Sequence, residues 1–98
     1  MKPLTSKQRS YLRSKAHSLK PVVILGAAGL TEAVLNEIEN AVAHHELIKV
    51  KINAGDRDEL KEMANSMCEH TKSELVQVIG HIAVLYRKAK KPVITLPV

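Results

Sequence analysis

The sequence predicts a small, single-domain α/β protein with the element order α-β-α-β-α-β-β and helices packed on a mixed four-stranded sheet. Its 98 residues suffice for one domain, which at this length buries roughly 60–70% of the surface of the unfolded chain. The composition, 45% hydrophobic and 26% charged, is that of an ordinary globular protein. Segments with helical periodicity alternate with short apolar runs, a pattern typical of strand–helix–strand units.

Local signals indicate the first helix and the first strand. Thr5 and Gln8 have the spacing of a capping box, so we expect a helix from Ser6 to about Ser18. Lys20-Pro21 ends this helix, because proline cannot continue it. The unbroken apolar run Val22–Leu25 then predicts a strand that is buried on both faces.

A second helix and a second strand follow. Thr31 is the expected N-cap of a helix that runs from Glu32 to about His44. Its inner face is predicted to consist of Val34, Leu35, Ile38 and Val42. In Leu47–Ile52, isoleucine and valine alternate with lysine, which predicts a strand with one buried and one exposed face.

A third helix is predicted after Asn53-Ala54-Gly55, which breaks the second strand. Asp56 and Glu59 have the spacing of a second capping box. The apolar stripe of this helix comprises Leu60, Met63, Ala64, Met67, Cys68 and Thr71. These positions follow the periodicity of a helix packed on a core.

The last part of the chain is predicted to form a hairpin. Leu75–Ile79 and Ile82–Arg87 are two strands joined by Gly80-His81, where glycine in the first position predicts a type II′ turn. Residues 88–98 form either a basic, proline-containing tail or an edge strand. The whole chain, 1–98, is therefore interpreted as one domain.

Positive charge is concentrated at the two ends of the chain. Residues 1–31 carry six lysines and arginines and no acid, and residues 87–98 carry four and no acid. The stretch 32–86 holds all ten acids against five basic residues, and the net charge of the chain is +5. This asymmetry predicts one basic surface, for which nucleic acid is the usual partner.

A short glycine-containing loop joins the first strand to the second helix. Gly26-Ala27-Ala28-Gly29 opens onto the helix N-terminus, where backbone N–H groups and the positive end of the helix dipole favour phosphate. Glycine permits φ > 0 and the close approach of another backbone. The same pattern also occurs as a plain tight connection, so the motif alone leaves both interpretations open.

Six segments in a fixed order carry a family resemblance. They are Leu19–Gly26, Gly29–Glu32, Val34–Glu39, His44–Lys51, Val78–Gly80 and Val84–Arg87. Together they resemble the CRM domain, and the size and segment order are similar to those of stand-alone, YhbY-like bacterial members. The resemblance implies an RNA-binding domain related in fold to the C-terminal domain of the third bacterial initiation factor.

The same resemblance implies a partner. YhbY-like proteins associate with precursors of the large ribosomal subunit during assembly, so the expected partner is ribosomal RNA in those precursors. In plants the same domain serves in group II intron splicing factors. The resemblance thus predicts a role in ribosome assembly for this chain.

The loop departs from a common pattern of RNA-binding domains. G-x-x-G loops such as those of KH domains often place lysine or arginine between the glycines, whereas both positions are alanine here. The loop then offers backbone donors and shape, and the positive charge must come from the first helix and from Arg87-Lys88. The predicted RNA-binding residues are Lys7, Arg9, Arg13, Lys15, Lys20, Gly26, Ala27, Ala28, Gly29, Arg87 and Lys88.

The low aromatic content restricts the mode of recognition. Tyr11 and Tyr86 are the two aromatic residues, and there is no Phe or Trp. Domains that read single strands by stacking need several exposed aromatic side chains. We therefore expect recognition of the shape and backbone of folded RNA.

No cofactor, metal, membrane or small-molecule substrate is expected. His44 and His45 are adjacent and so point about 100° apart on a helix, which does not suit one metal ion. No apolar run approaches the roughly 18–20 residues that cross a bilayer. The single cysteine, Cys68, fits a reducing compartment, so a cytoplasmic location is expected.

An enzyme and a protein-interaction module are the two alternatives to an RNA-binding protein. An enzyme is not expected, because the sequence contains no GxSxG, HExxH, Walker-type or GxGxxG motif. A protein-interaction module remains open, in which the acidic middle of the chain binds a basic ribosomal protein and RNA contact is incidental. The oligomeric state is also open, with a monomer favoured.

Overall fold

A four-stranded sheet with helices on both faces forms the centre of the molecule. The computed structural model describes residues 3–26, 28–53 and 55–98. In chain order the elements are α1 (Ser6–Ala16), β1 (Val23–Leu25), α2 (Glu32–His45), β2 (Leu47–Ile52), α3 (Arg57–Thr71), β3 (Glu74–Ile79) and β4 (Ile82–Tyr86). The predicted fold class and element order are confirmed. Ala27, one of the predicted RNA-binding residues, lies outside the described residues.

The strands are arranged in the order β1-β2-β4-β3. β1 is parallel to β2, and β4 is antiparallel to both β2 and β3. Leu25 pairs with Ile52 at one end of the sheet, which we call the loop end because the 26–29 loop follows Leu25. Leu47 pairs with Tyr86 at the opposite end, which we call the tail end because residues 87–98 leave from it.

Each face of the sheet has its own hydrophobic core. On one face, α2 and α3 cover the strands with side chains such as Ile38, Val42 and Met67. On the other face, Leu12 and Ala16 of α1 pack in a cluster completed by Leu47, Val76, Val84 and Tyr86. The α2–α3 face of the sheet is therefore buried, whereas α1 is too short to cover the whole of the other face.

The predicted helix starts are confirmed by their caps. The Thr5 hydroxyl accepts from the Gln8 backbone N–H at 3.1 Å, and the Gln8 side chain accepts from the Thr5 N–H at 3.1 Å. Thr31 caps α2 by accepting from Val34 N–H, and Asp56 caps α3 by accepting from Glu59 N–H. Local sequence signals thus place three helix N-termini correctly.

The prediction that the first strand is buried on both faces is wrong. Val23 and Leu25 are buried, whereas Val22 and Ile24 are 48% and 60% exposed. β1 lies at the edge of the sheet, and α1 packs on β2, β3 and β4. An apolar run therefore leaves one face of an edge strand in contact with water.

The C-terminal part combines the predicted hairpin with a tail. Gly80 has a φ of 55° and His81 does not have a positive φ, as a type II′ turn requires. β3 contains an unpredicted bulge between Leu75 and Gln77. Within the described part of the chain, residues 88–98 form no strand, and Ile94 and Leu96 of this tail pack on the α1 side of the sheet.

Candidate nucleic-acid interface

The part of the sheet that α1 leaves uncovered is a basic and apolar surface, which we call the open face. Its members are Ile24, Lys49, Lys51, Gln77, Ile79 and Ile82. Ile24 pairs with Lys51, Lys51 with Ile82, and Ile82 with Ile79, so one row crosses all four strands at the loop end. Residues paired in this way point to the same face of a sheet.

One flank of α1 forms the border of the open face. Arg13 and His17 lie one turn apart on the helix, as their spacing predicts. They line a shallow hollow together with Lys49, Gln77 and Ile79. The surface therefore carries three permanent cations, on Arg13, Lys49 and Lys51.

Acidic side chains are sparse on the sheet itself, although Asp56 lines a hollow with Gln77 at the outer edge of β3. Glu74 is the single acid in the four described strands. It pairs with Tyr86 at the tail end, whereas Lys51 and Ile82 lie at the loop end. The open face is therefore locally positive.

The 26–29 loop lies beside the open face, because it follows directly after Ile24 and Leu25. Gly29 has a φ of 73°, and its N–H donates to the Gly26 carbonyl at 3.1 Å. Thr31 N–H in turn donates to the Gly29 carbonyl at 3.1 Å. These two N–H groups are used within the turn, so they are not available to a bound phosphate.

The structure requires glycine at one of the two glycine positions of the loop and not at the other. Gly29 needs glycine for its left-handed backbone. Gly26 has no left-handed φ, and a Cβ added there would meet nothing within 4 Å. Neither conformation nor internal space therefore demands glycine at position 26, and its bare backbone faces open solvent, as does the exposed Ala28.

Arg9 has a structural role, because its guanidinium group forms hydrogen bonds with the backbone of β3. Its Nη1 donates to the carbonyl of Val76 at 3.3 Å and to that of Leu75, at the bulge of β3. Arg9 thereby fastens α1 to the sheet. It follows the same helix flank as Arg13, but a substitution at Arg9 would change packing as well as charge.

The predicted residues on the rest of α1 point away from the open face. Lys15 lies about 200° round the helix from Arg13. It lines a groove with Lys20, His45 and Ile94 on the side of the tail. Lys7 is exposed on the first turn of α1.

Arg87 and Lys88 lie at the tail end, away from the loop. β2 spans about 17 Å between the two ends of the sheet, given the rise of a strand residue. Arg87 forms an ion pair with Glu39 at 2.5 Å and donates to the Thr71 carbonyl at 2.8 Å. Lys88 is exposed. The structure therefore distributes the predicted residues over both ends of the sheet.

Sequence reasoning missed Lys49, Lys51 and the exposed isoleucines. The alternation in β2 predicts that both lysines lie on an exposed face, and in the structure Lys51 is exposed and Lys49 is half-buried. What the alternation could not show is that Arg13 of α1 lies at the border of the same face. The missing information was the strand order and the path of α1 across the sheet.

Cys68 belongs to the core of the α2–α3 side. Burial, with a smaller contribution from the negative charge of Glu74, raises the pKa of its thiol to about 12. The thiol is therefore protonated at neutral pH. In the described ranges, no three His, Cys, Asp or Glu side chains are grouped as a metal site.

Over the residues described, each helix falls short of the length or the hydropathy needed to cross a bilayer.

The comparisons with known proteins agree on one family. Residues 4–87 match the family model of the CRS1/YhbY (CRM) domain. The chain is 52% identical to an RNA-binding protein of Haemophilus influenzae, over 99% of this chain and 98% of that protein. It is 46% identical to a probable RNA-binding protein of Pseudomonas aeruginosa, over 91% and 86% of the two chains.

A solved structure extends this agreement to the fold. The chain superposes on the solution structure of a Staphylococcus aureus protein to which RNA binding has been ascribed, with a TM-score of 0.85 and 43% sequence identity. The match covers 96% of this chain and 99% of the other. The family-model match and the relatives therefore show that this chain belongs to the CRS1/YhbY (CRM) domain family.

Proposed function

We propose that this protein binds RNA, and that the open face, the Arg13–His17 flank of α1 and the 26–29 loop form the contact surface. The observation that carries the proposal is the convergence of Arg13, Lys49 and Lys51 on one face to which the described strands contribute no acid at the loop end. RNA phosphates are attracted to such a surface. The naming of the two bacterial relatives as RNA-binding proteins supports the same conclusion.

The chemistry of the surface favours contact with backbone and sugar. Ile24 and Ile79 are each 60% exposed and provide an aliphatic floor. Aliphatic side chains pack against ribose and base edges, but they do not offer the stacking planes that aromatic side chains provide. We propose that the cations neutralise phosphates and that the row of isoleucines lies against the riboses.

We propose that Gly26 contributes to RNA binding through its bare backbone. Because a Cβ there would point into open space, its absence lets a phosphate approach the main chain closely. The positive end of the α2 dipole adds to the attraction.

The proposed target is ribosomal RNA in precursors of the large ribosomal subunit, in the cytoplasm. This part rests on the resemblance to stand-alone, YhbY-like family members. Cross-linking to RNA in cells and sequencing of the bound fragments tests it. Recovery of large-subunit precursor RNA would support the target, and enrichment of messenger RNA would refute it while leaving RNA binding intact.

Charge reversal tests the surface itself. Reversal of Arg13, Lys49 and Lys51 to glutamate should abolish binding in a filter-binding titration with protein-free ribosomal RNA. If about five phosphates are engaged, the logarithm of the wild-type affinity should fall with log salt at a slope of about −3 to −5. Neutralising Lys49 and Lys51 with glutamine should make that slope shallower by about 1.5.

The matched control reverses two cations on the other side of the sheet. Arg57 and Lys61 are exposed on α3 and line a hollow with Gln77 at the outer edge of β3, so their reversal to glutamate should weaken RNA binding far less than the triple reversal. Equal losses in both sets of variants would contradict the assigned surface. If the variant with Arg13, Lys49 and Lys51 reversed still binds RNA but no longer co-sediments with ribosomal particles, the protein-interaction module would be favoured instead.

A further inference from the structure

Two hollows lie at the tail end of the sheet. The first, the β1-edge groove, is lined by Lys15, Leu19, Lys20, Val22, His45 and Ile94. The second, the tail hollow, is lined by residues that include His44, Lys88, Lys90, Lys91 and Val93. His44 and His45 are consecutive, as are Val93 and Ile94, so the two hollows are neighbours at the tail end of the sheet.

The groove also connects with the open face. Val22 lines the groove and Ile24 belongs to the open face, and these alternate residues lie on the same side of the chain at β1. β1 has no partner strand on its outer side within the described sheet. The open face, the β1-edge groove and the tail hollow therefore follow one another from the loop end to the tail end of the sheet.

The charge of this surface is positive along its length. Lys15, Lys20, Lys88, Lys90 and Lys91 are all exposed. The acid in contact with the tail, Glu46, is fully buried and points inward. The other nearby acid, Glu39, is paired with Arg87. Lys88 interacts with the Glu46 carboxylate and helps to lower the pKa of Glu46, whereas Lys90 and Lys91 extend into solvent.

The tail hollow is shaped before any ligand binds. The Glu46 carboxylate accepts backbone N–H groups from Ala89 at 3.0 Å, Val93 at 2.6 Å and Ile94 at 2.8 Å. The chain from 89 to 94 is therefore curled around one buried anion, and the side chains of Lys90 and Lys91 stand on the outside of the curl. Preorganisation of this kind lowers the entropy cost of binding.

We infer that the tail hollow is a second contact for the RNA bound at the open face, and that one RNA chain follows the edge of β1 between the two. This inference rests on the proposed RNA-binding function. The two ends of the sheet are about 17 Å apart, which corresponds to about five phosphates of a stacked strand. A stacked strand shorter than this does not reach from one end to the other.

The experiment measures RNA affinity as a function of RNA length by fluorescence anisotropy in 0.1 M salt. The probes are single-stranded RNAs of mixed sequence with about four and about twelve nucleotides. In a stacked strand these lengths fall below and above the distance between the open face and the tail hollow. The K90E/K91E variant should bind the longer RNA about 25-fold more weakly than the wild type, because two phosphate contacts are lost. Its affinity for the short RNA at the open face should change less than about twofold.

The matched control is R57E/K61E, which makes the same change of charge on α3. It should bind both RNAs like the wild type, and the urea midpoints of all variants establish that each is folded. Equal affinity of K90E/K91E and wild type for the longer RNA would overturn the inference. Binding of two molecules of the longer RNA per protein, measured by analytical ultracentrifugation, would show separate sites and would also overturn it.

Failure of the RNA-binding proposal and failure of the inference about the tail hollow give different binding results. If the wild type binds neither these RNAs nor protein-free ribosomal RNA, the proposed RNA-binding function is refuted and the inference falls with it. If it binds ribosomal RNA but not the twelve-nucleotide RNA, the inference alone is refuted. If the wild type binds through Arg13, Lys49 and Lys51 without any dependence on Lys90 and Lys91, the inference alone is refuted.

Discussion

Glu46 ends α2 in an unusual conformation, with a φ of 66° and a fully buried side chain. Its backbone carbonyl accepts from Arg87 N–H at 2.8 Å, while its carboxylate holds three N–H groups of the tail. Burial raises the pKa of this carboxyl, but the three N–H donors more than offset that effect, so the pKa lies below its ordinary value. One residue thereby joins the end of α2 to the C-terminal segment.

Replacement of Glu46 by glutamine should loosen the tail. The amide offers one acceptor oxygen, and its NH₂ group faces backbone donors, so at least one hydrogen bond is lost at a cost of about 1–3 kcal/mol. Amide hydrogen exchange at Ala89, Val93 and Ile94 should accelerate. Glu69→Gln, at an exposed position of α3, is the control, and protection at these three amides equal to the wild type would contradict the assigned role.

Gly29→Asp should abolish RNA binding while the fold is retained. The left-handed φ of 73° makes any side chain strained there, at a cost of about 1–2 kcal/mol, although a Cβ would meet no neighbour. The carboxylate also places a negative charge at the loop. Filter binding and urea unfolding measure the two effects separately.

Gly29→Ala serves as the control for Gly29→Asp, because it imposes the backbone strain without the charge. Its stability should fall by a similar amount, while RNA binding should be weakened less. If Gly29→Asp binds RNA like the wild type, the loop is a connection between β1 and α2 and takes no part in binding.

At the scale of elements, α1 depends on interactions at its ends and flanks. Thr5 and Gln8 satisfy each other's backbone N–H groups at the N-terminus, and Arg9 fastens the helix to the bulge of β3. Gln8 also donates to the Pro97 carbonyl at 3.1 Å, which links α1 to the tail. The position of Arg13 at the open face is a consequence of these contacts.

Thr5→Ala should lower the free energy of unfolding by about 1 kcal/mol, because the first turn of α1 loses its cap. Urea unfolding followed by circular dichroism measures this change. Ser10→Ala, at an exposed position inside α1, should be neutral or slightly stabilising, since alanine favours helix. A loss in Ser10→Ala as large as that in Thr5→Ala would contradict the capping role.

At the scale of the whole molecule, acid should destabilise the fold through two carboxyls. The hydrogen bond from Arg87 lowers the pKa of Glu39 despite some burial, and the pKa of Glu46 is also lowered. A carboxyl whose pKa is lower in the folded state stabilises the fold above its ordinary pKa, near 4.5. That contribution is lost as the pH falls through the folded value, because the unfolded chain then binds more protons.

Urea midpoints measured between neutral and acid pH should therefore decline below about pH 4.5. The variant E39Q/E46Q should show a flatter decline over the same range, starting from a lower midpoint. A decline of equal steepness in the variant would show that other groups dominate the acid response.

Much of the fold was predictable because it depends on local order in the chain. The helical stripes, the caps at Thr5, Thr31 and Asp56 and the hairpin at Gly80 are properties of neighbouring residues, and the structure confirms them. The exposure of Val22 and Ile24 was not predictable in this way. It depends on β1 being an edge strand, and strand order is set by contacts between distant segments.

For the candidate site, too, some features follow from the sequence and others only from the tertiary structure. The sequence by itself determined that basic residues are concentrated at both ends of the chain and that a glycine loop precedes α2. The tertiary structure alone decided that Lys49 and Lys51 join Arg13 on the open face. It also placed Lys88 at the tail end, because β4 runs antiparallel to β2 and so ends away from the loop. Side-chain charge is a property of each residue, whereas its neighbours across the surface are fixed by long-range packing.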